Sequence, residues 1–328
     1  MSGGRRFSTS VPVWRPSART LCVLAAAGLI AGWAAPGAGA SQPLADRDVK
    51  DVSLKVNPSG EALIVYTREN GQRREVLAWG AVDAVHPSPI ASQVQFKVDY
   101  AGGWRKYRKP VRNGFRDTCR PYDGPRLVWL VAACKAGDGS YWALQSWQRI
   151  QPMRGFAAFR PAHMRYELHL SHWTGPLGDL QVSPNWTYGG MWQGLFGRLL
   201  YRGKPVHGYR TPSDRRSDFH ARYFYIDTYD SVWGQGWKRA AAKVTHNPNG
   251  GFCFSFVRDR PPPAYPSSEF RPPGNGERHR VTVMGPGVTP VVQWEGPGLG
   301  AYDRAADAVF DAVFDEWLAG DRACVRER

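Results

Sequence analysis

The densest chemistry in the chain is Glu167-Leu168-His169-Leu170-Ser171-His172, where two imidazoles and a carboxylate fall within six residues. A carboxylate beside an imidazole can orient it as a general base, and two imidazoles can share a metal ion. On a strand, positions 169 and 172 point to opposite faces, so one ion cannot easily hold both. This leaves two readings. In one, a secreted hydrolase uses His169 or His172 with Glu167. In the plainer one, both are structural histidines with satisfied hydrogen bonds. Asp227 and Asp230 form an Asp-x-x-Asp spacing, too little for a calcium site. No catalytic residue, metal or cofactor is expected from these clusters.

A second constellation is Trp104-Arg105-Lys106-Tyr107-Arg108-Lys109, entered through Gly102-Gly103. If the glycines form a two-residue turn and a strand returns from Trp104, then Trp104, Lys106 and Arg108 share a face with Lys97 and Asp99. Cations beside an indole suit an anionic polymer or a sugar ring, so Lys97, Trp104, Lys106 and Arg108 are candidate binding residues. The bland alternative is a solvated strand face with the indole packed on a neighbour. The formal net charge of +15 favours anionic partners: cell-wall polymer, acidic lipid or carbohydrate, with nucleic acid less expected for an exported chain.

Familiar catalytic signatures are absent from the sequence: there is no Gly-x-Ser-x-Gly elbow, His-Glu-x-x-His helix, phosphate loop or dinucleotide fingerprint. Asn185-Trp186-Thr187 matches an N-glycosylation sequon, a pattern of low specificity. Twelve tryptophans lie beyond residue 40, and filling a β core is their commonest use.

Residues 1–40 read as a secretory signal. Arg5, Arg6, Arg15 and Arg19 precede the apolar run Leu21–Ala35, and Ala38-Gly39-Ala40 places small residues before a cut at Ser41. No later stretch is long and apolar enough for a second span, so the mature chain is expected outside the cytoplasm, secreted or envelope-associated. Export also suits the cysteines. Cys119, Cys134, Cys253 and Cys324 make an even set allowing three connectivities. The expected pairs are Cys119–Cys134, which closes a local loop, and Cys253–Cys324, which ties the tail to a strand. Each bridge contributes about 3 to 4 kcal/mol by loop entropy.

The elements that must position these residues are strands. With 36 glycines, 26 prolines and 14 each of Trp, Tyr and Phe, the composition is that of a β-rich globular chain and excludes coiled coil, collagen and wholesale disorder. Asn57-Pro58-Ser59-Gly60 turns the chain between strands at 53–56 and 62–66, and Glu69-Asn70-Gly71-Gln72 turns it into 75–79. Val94, Phe96, Val98 and Tyr100 alternate with polar residues. Leu127–Ala133 is apolar at every position but one aromatic and reads as a central strand covered on both faces, returning through residues 135–139 to Tyr141–Gln148. Further strands are expected at 195–201, 221–228, 252–257, 280–284 and 288–294. The six prolines of Arg260–Pro273 mark a surface loop. Tyr302–Ala319 carries an apolar stripe at helical spacing, with Asp303 at its start and Gly320 past its end. Asp303, Asp307, Asp311 and Asp315 form a solvated face of that helix.

Leu195-Phe196-Gly197-Arg198-Leu199 followed by Gly203-Lys204-Pro205-Val206-His207-Gly208, then Asn249-Gly250-Gly251-Phe252-Cys253-Phe254 and Arg280–Thr289, resembles carboxypeptidase regulatory-like, transthyretin-type β-sandwiches. The likeness covers about 195–292 and departs from the family's pattern by the long insert 209–246. It implies a binding or structural module without catalytic residues. Taken whole, the chain also resembles secreted proteins of GC-rich bacteria, a likeness that adds no activity. The expected architecture is mainly β: antiparallel sandwich-type domains with a C-terminal amphipathic helix. Its parts are a signal peptide at 1–40, a β-rich domain at 41–184, a transthyretin-like sandwich at 185–300, and a helix with a disulfide-tied tail at 301–328. One merged sandwich is the alternative.

Overall fold

In the computed structural model, the described residues are 41–83, 94–107, 111, 114–148, 165–187, 192–206, 209–210, 222–227, 251–256, 278–297, 300–306 and 308–309. For 105, 107, 148, 187, 192–194, 209–210, 222–227 and 251–256 only the backbone is described. The chain is mainly β, in sheets that are antiparallel except for one short parallel pairing of 209–210 with 222–223. Residues 1–40, expected as a signal, lie outside the described residues, as do Arg108 and Cys324 and with it the expected Cys253–Cys324 bridge.

The first sheet has the order β1 (Gln42–Arg47), β8 (Tyr166–Trp173), β7 (Tyr141–Gln148), β6 (Leu130–Lys135). The second runs β2 (Lys50–Val56), β3 (Glu61–Thr67), β4 (Arg73–Trp79), β5 (Lys97–Asp99). Both turns expected between β2, β3 and β4 form. Asn57 Oδ1 accepts the N–H groups of Ser59 and Glu61, each at 3.0 Å, and Gly71 takes the positive φ of 77° that its turn demands. Ala62, Ile64 and Tyr66 of β3 and Val76 and Ala78 of β4 share a core with Trp142 and Leu144 of β7 and Leu168 and Leu170 of β8. The two sheets thus pack face to face, an arrangement compatible with a β-sandwich. The disulfide Cys119–Cys134, with Cα atoms 5.3 Å apart, fixes the strand margin at β6 as expected.

Two expectations in this region are corrected. The apolar run before Cys134 is not a central strand. β6 lies at the sheet edge, with Leu130 43% and Val131 41% exposed, while β7 and β8 take the covered interior positions. Nor does a strand return from Trp104. Gly102 and Gly103 adopt φ of 63° and 84°, as a tight turn requires, but Trp104–Tyr107 then closes into one helical turn, α1. Its Lys106 N–H donates to Gly103 O at 3.0 Å. Asp99, expected on the exposed face, is buried and accepts the Ala101 N–H at 2.8 Å.

Farther along, β10 (Trp192–Tyr201) pairs with β9 (Asp179–Thr187), β11 (Lys204–Pro205) and β14 (Gly251–Phe256). β9 runs unbroken across the boundary set at 184/185. Another sheet has the order β12 (Tyr209–Arg210), β13 (Arg222–Asp227), β15 (Arg278–Val283), β16 (Val292–Pro297). Leu195, Leu199, Tyr201, Val206, Val281 and Val283 form a second core. The C-terminal helix is described only at 304–306 and 308–309. There Asp303 Oδ1 accepts the N–H of Ala305 at 2.8 Å and of Ala306 at 3.2 Å, the expected cap.

The 284–291 loop between β15 and β16 reaches back to the first sheet. Met284 and Val291 pack on Trp147, and Val288 joins the core between the first two sheets. Its backbone groups find side-chain and main-chain partners there. Gln145 Oε1 accepts the Val291 N–H at 2.9 Å while Gln145 Nε2 donates to Val291 O at 3.1 Å, and His172 N–H donates to Val288 O at 2.8 Å.

Candidate functional site

The first sheet has two faces, and the alternation of β8 divides the histidines between them as the sequence suggested. Strand register places His169 opposite Gln145, Glu167 opposite Trp147, and His172 opposite Trp142. One face therefore carries Trp142, Leu144, Leu168, Leu170 and His172 into the sandwich core. The other gathers Gln145, Trp147, Glu167, His169 and Ser171 into a buried polar layer beneath the 284–291 loop.

His172 is enclosed. Its Nδ1 donates to Ala81 O, which accepts only, and its Nε2 lies 2.8 Å from Ser140 Oγ. The same Ser140 hydroxyl donates to Asp138 Oδ1 at 2.6 Å, linking the ring to that carboxylate. The ring stacks on Trp142 at 3.8 Å. Burial pushes the imidazolium below its ordinary range near 6.5, while Asp138 and Asp83 pull in the other direction.

His169 has a different surrounding. Ser41 Oγ lies 3.4 Å from its Nδ1, Glu167 Oε2 lies 3.6 Å from its Nε2, and Trp147 stacks on the ring at 5.2 Å. Glu167 Oε1 meets Arg47 Nη2 at 2.9 Å. A hydroxyl, an imidazole and a carboxylate therefore stand in the order used for nucleophilic catalysis. All three are buried, however, and no described cavity opens on them. Such a line can hold charge and fix strands. Sequence reasoning found Glu167 and His169 and missed Ser41 and Gln145, which reach the layer only through strand register.

Two of the candidate binding residues, Lys97 and Lys106, meet at another corner. Register puts Glu61, Trp79 and Lys97 side by side across β3, β4 and β5. From α1, Lys106 Nζ pairs with Glu61 and sits 4.5 Å above the Trp79 ring. Trp104 is 53% exposed and Lys97 is exposed. Lys97 and Lys106 both stand at Trp79, Lys106 reaching it from a helical turn rather than a hairpin, while Trp104 lies two residues earlier on that turn. Glu61 and Trp79 are additions the sequence did not suggest, and the carboxylate offsets one cation.

Among the described residues, no cluster of three or more His, Cys, Asp or Glu is arranged to hold a metal ion. None of the described helices is long and apolar enough to cross a membrane. Compared with known proteins, the chain matches no family model, no curated protein and no solved structure. The likeness to transthyretin-type modules therefore has no support beyond antiparallel sheets.

Proposed function

We propose that this is an exported, non-catalytic binding or structural protein of the cell envelope or extracellular space, and that its β4–β5–α1 corner contacts anionic wall polymer. The observation that carries the reading is the Trp79 ring with Lys106 over it and Lys97 paired beside it, next to a helical turn that exposes Trp104. An indole covers the apolar face of a polyol or sugar while ammonium groups take the phosphate or carboxylate charges. A disulfide between Cys119 and Cys134 suits an oxidising compartment. The transthyretin-like resemblance of 195–292 belongs to the same reading, as a module that binds or spaces without catalysis.

The test is retention of the exported protein on an immobilised glycerol-phosphate polymer, with vesicles of acidic lipid as a second arm. Trp104→Ala and Lys97→Gln are each expected to weaken polymer retention about threefold, in line with exposed cation and aromatic contacts. Raising salt from about 0.05 to about 0.5 M should release the protein. Retention indifferent to both substitutions and to salt overturns the reading. The hydrolase alternative keeps one observation in its favour, the Ser41–His169–Glu167 line. A hydrolytic activity abolished by His169→Gln, with the fold intact by circular dichroism, would establish it instead.

A further inference from the structure

Ser41 stands where the sequence places the first residue of the exported chain, and the structure treats it as an interior residue. It is 0% exposed. Its nitrogen donates to Gly287 O at 3.0 Å, on the 284–291 loop, and its hydroxyl faces His169. Two further observations point to what this nitrogen is in the mature protein.

The first is conformational. Ser41 has φ of 34°, in the left-handed region that disfavours a residue with a Cβ. φ is a torsion about a bond whose outer atom belongs to the preceding residue. Once the bond to Ala40 is hydrolysed, that steric constraint no longer exists, and Ser41 keeps its place without strain. The second is a missing donor. Pairing of Gln42 with Leu170 and Pro43 with His169 carries Ser41 to the level of Ser171. The Ser171 hydroxyl is fully buried and has no hydrogen-bond partner. A peptide N–H has one proton and gives it to Gly287 O. An ammonium has three, with two left for acceptors on this face.

We infer that hydrolysis of the Ala40–Ser41 bond makes a structural cation: the new α-ammonium of Ser41 docks between β8 and the 284–291 loop, donating to Gly287 O and Ser171, in the same buried layer as Glu167. The step adds water across the amide, leaving a carboxylate on Ala40 and the amine on Ser41, where it takes up a proton. A signal peptidase supplies the catalysis. Because folded Ser41 is enclosed, the cut precedes folding, and the finished end is sealed in as the last hairpin closes. The inference deepens the export reading and rests on it.

The full-length gene is expressed with its leader, and the exported product is collected and weighed by intact mass spectrometry. A product beginning at Ser41 is expected. In the folded state its α-amine should react with an amine-selective reagent at neutral pH at least tenfold more slowly than in denaturant, as for a group released only by opening of the fold. Inserting Gly-Ser between Ala40 and Ser41 retains the cleavage site but moves the charge outward. That product should melt several degrees lower and label freely. Ser171→Ala should raise the labelling rate of the unextended protein while preserving its secondary structure. A product that begins at Ser41 but labels equally fast folded and unfolded, with no loss of melting temperature on extension, overturns the docking alone. A product that keeps residues 1–40 overturns the export reading, and the docking falls with it.

Discussion

Two hairpin loops of this protein lie at opposite extremes. The turn at 136–139, between β6 and β7, sits at the surface, with Gly137, Asp138 and Gly139 exposed. The loop at 284–291, between β15 and β16, is buried at every position. Loops ordinarily stay outside because their peptide groups need water. The second loop escapes this rule because the first sheet supplies its partners: Gln145 to Val291, the His172 amide to Val288, and the Ser41 nitrogen to Gly287. Composition separates the two. Lys135–Gly139 is polar, whereas Met284-Gly-Pro-Gly-Val-Thr-Pro-Val291 has no charge and three apolar side chains to bury.

The sharpest way to break the comparison is a matched pair of glycines. At Gly285 a methyl group would drive into the Pro290 carbonyl and the Thr289 hydroxyl, both in the buried loop. Gly285→Ala is expected to destabilise by about 3 kcal/mol in urea titrations, the upper part of the overpacking range. Next comes Gln145→Leu, which leaves Val291 N–H, Val291 O and Val128 O without their side-chain partner. A loss of about 2 kcal/mol is expected, since buried amides forfeit hydrogen bonds that water cannot replace.

A smaller effect belongs to His172, which serves both loops: its backbone N–H holds Val288 and its ring holds Ser140 beside the exposed turn. Its folded pKa lies below the ordinary value near 6.5 because the ring is buried. The unfolded chain therefore takes up a proton first as pH falls, and stability drops from about pH 6.5 down to the folded pKa. Above about pH 6.5 this group adds no pH dependence. His172→Gln should flatten that limb of the stability profile, measured by denaturant midpoint at each pH; an unchanged slope would refute the assignment. Smallest of all is Gly137→Ala, where an added methyl meets nothing within 4 Å. Its midpoint should stay within about 0.5 kcal/mol of the parent.

Local signals made the β2–β3–β4 hairpins legible, because Asn57–Gly60 and Asn70-Gly71 encode their own turns. β1 was not legible. Gln42-Pro-Leu-Ala-Asp-Arg47 has a proline, two charges and little alternation, and it becomes a strand only by pairing with distant β8. The Gly102-Gly103 turn was legible too, but the helical turn of α1 depends on tertiary contacts of Lys106 with Glu61 and Trp79. Likewise the run Leu127–Ala133 has the composition of an interior strand, yet the sheet ends there. At the candidate site, Glu167, His169 and His172 announced themselves by spacing. Ser41 and Gln145 could not, because each joins the layer through a pairing partner far along the chain.

The clasp of 284–291 also sets an order of events. Gln145 and Val291 are 146 residues apart, so the lining of the first sheet stays open until residue 291 has been made. Such long-range closure is slow and keeps apolar surface uncovered meanwhile. Under the proposed export, threading through a translocation pore would meet that requirement, since the early segments wait unfolded while the late ones arrive.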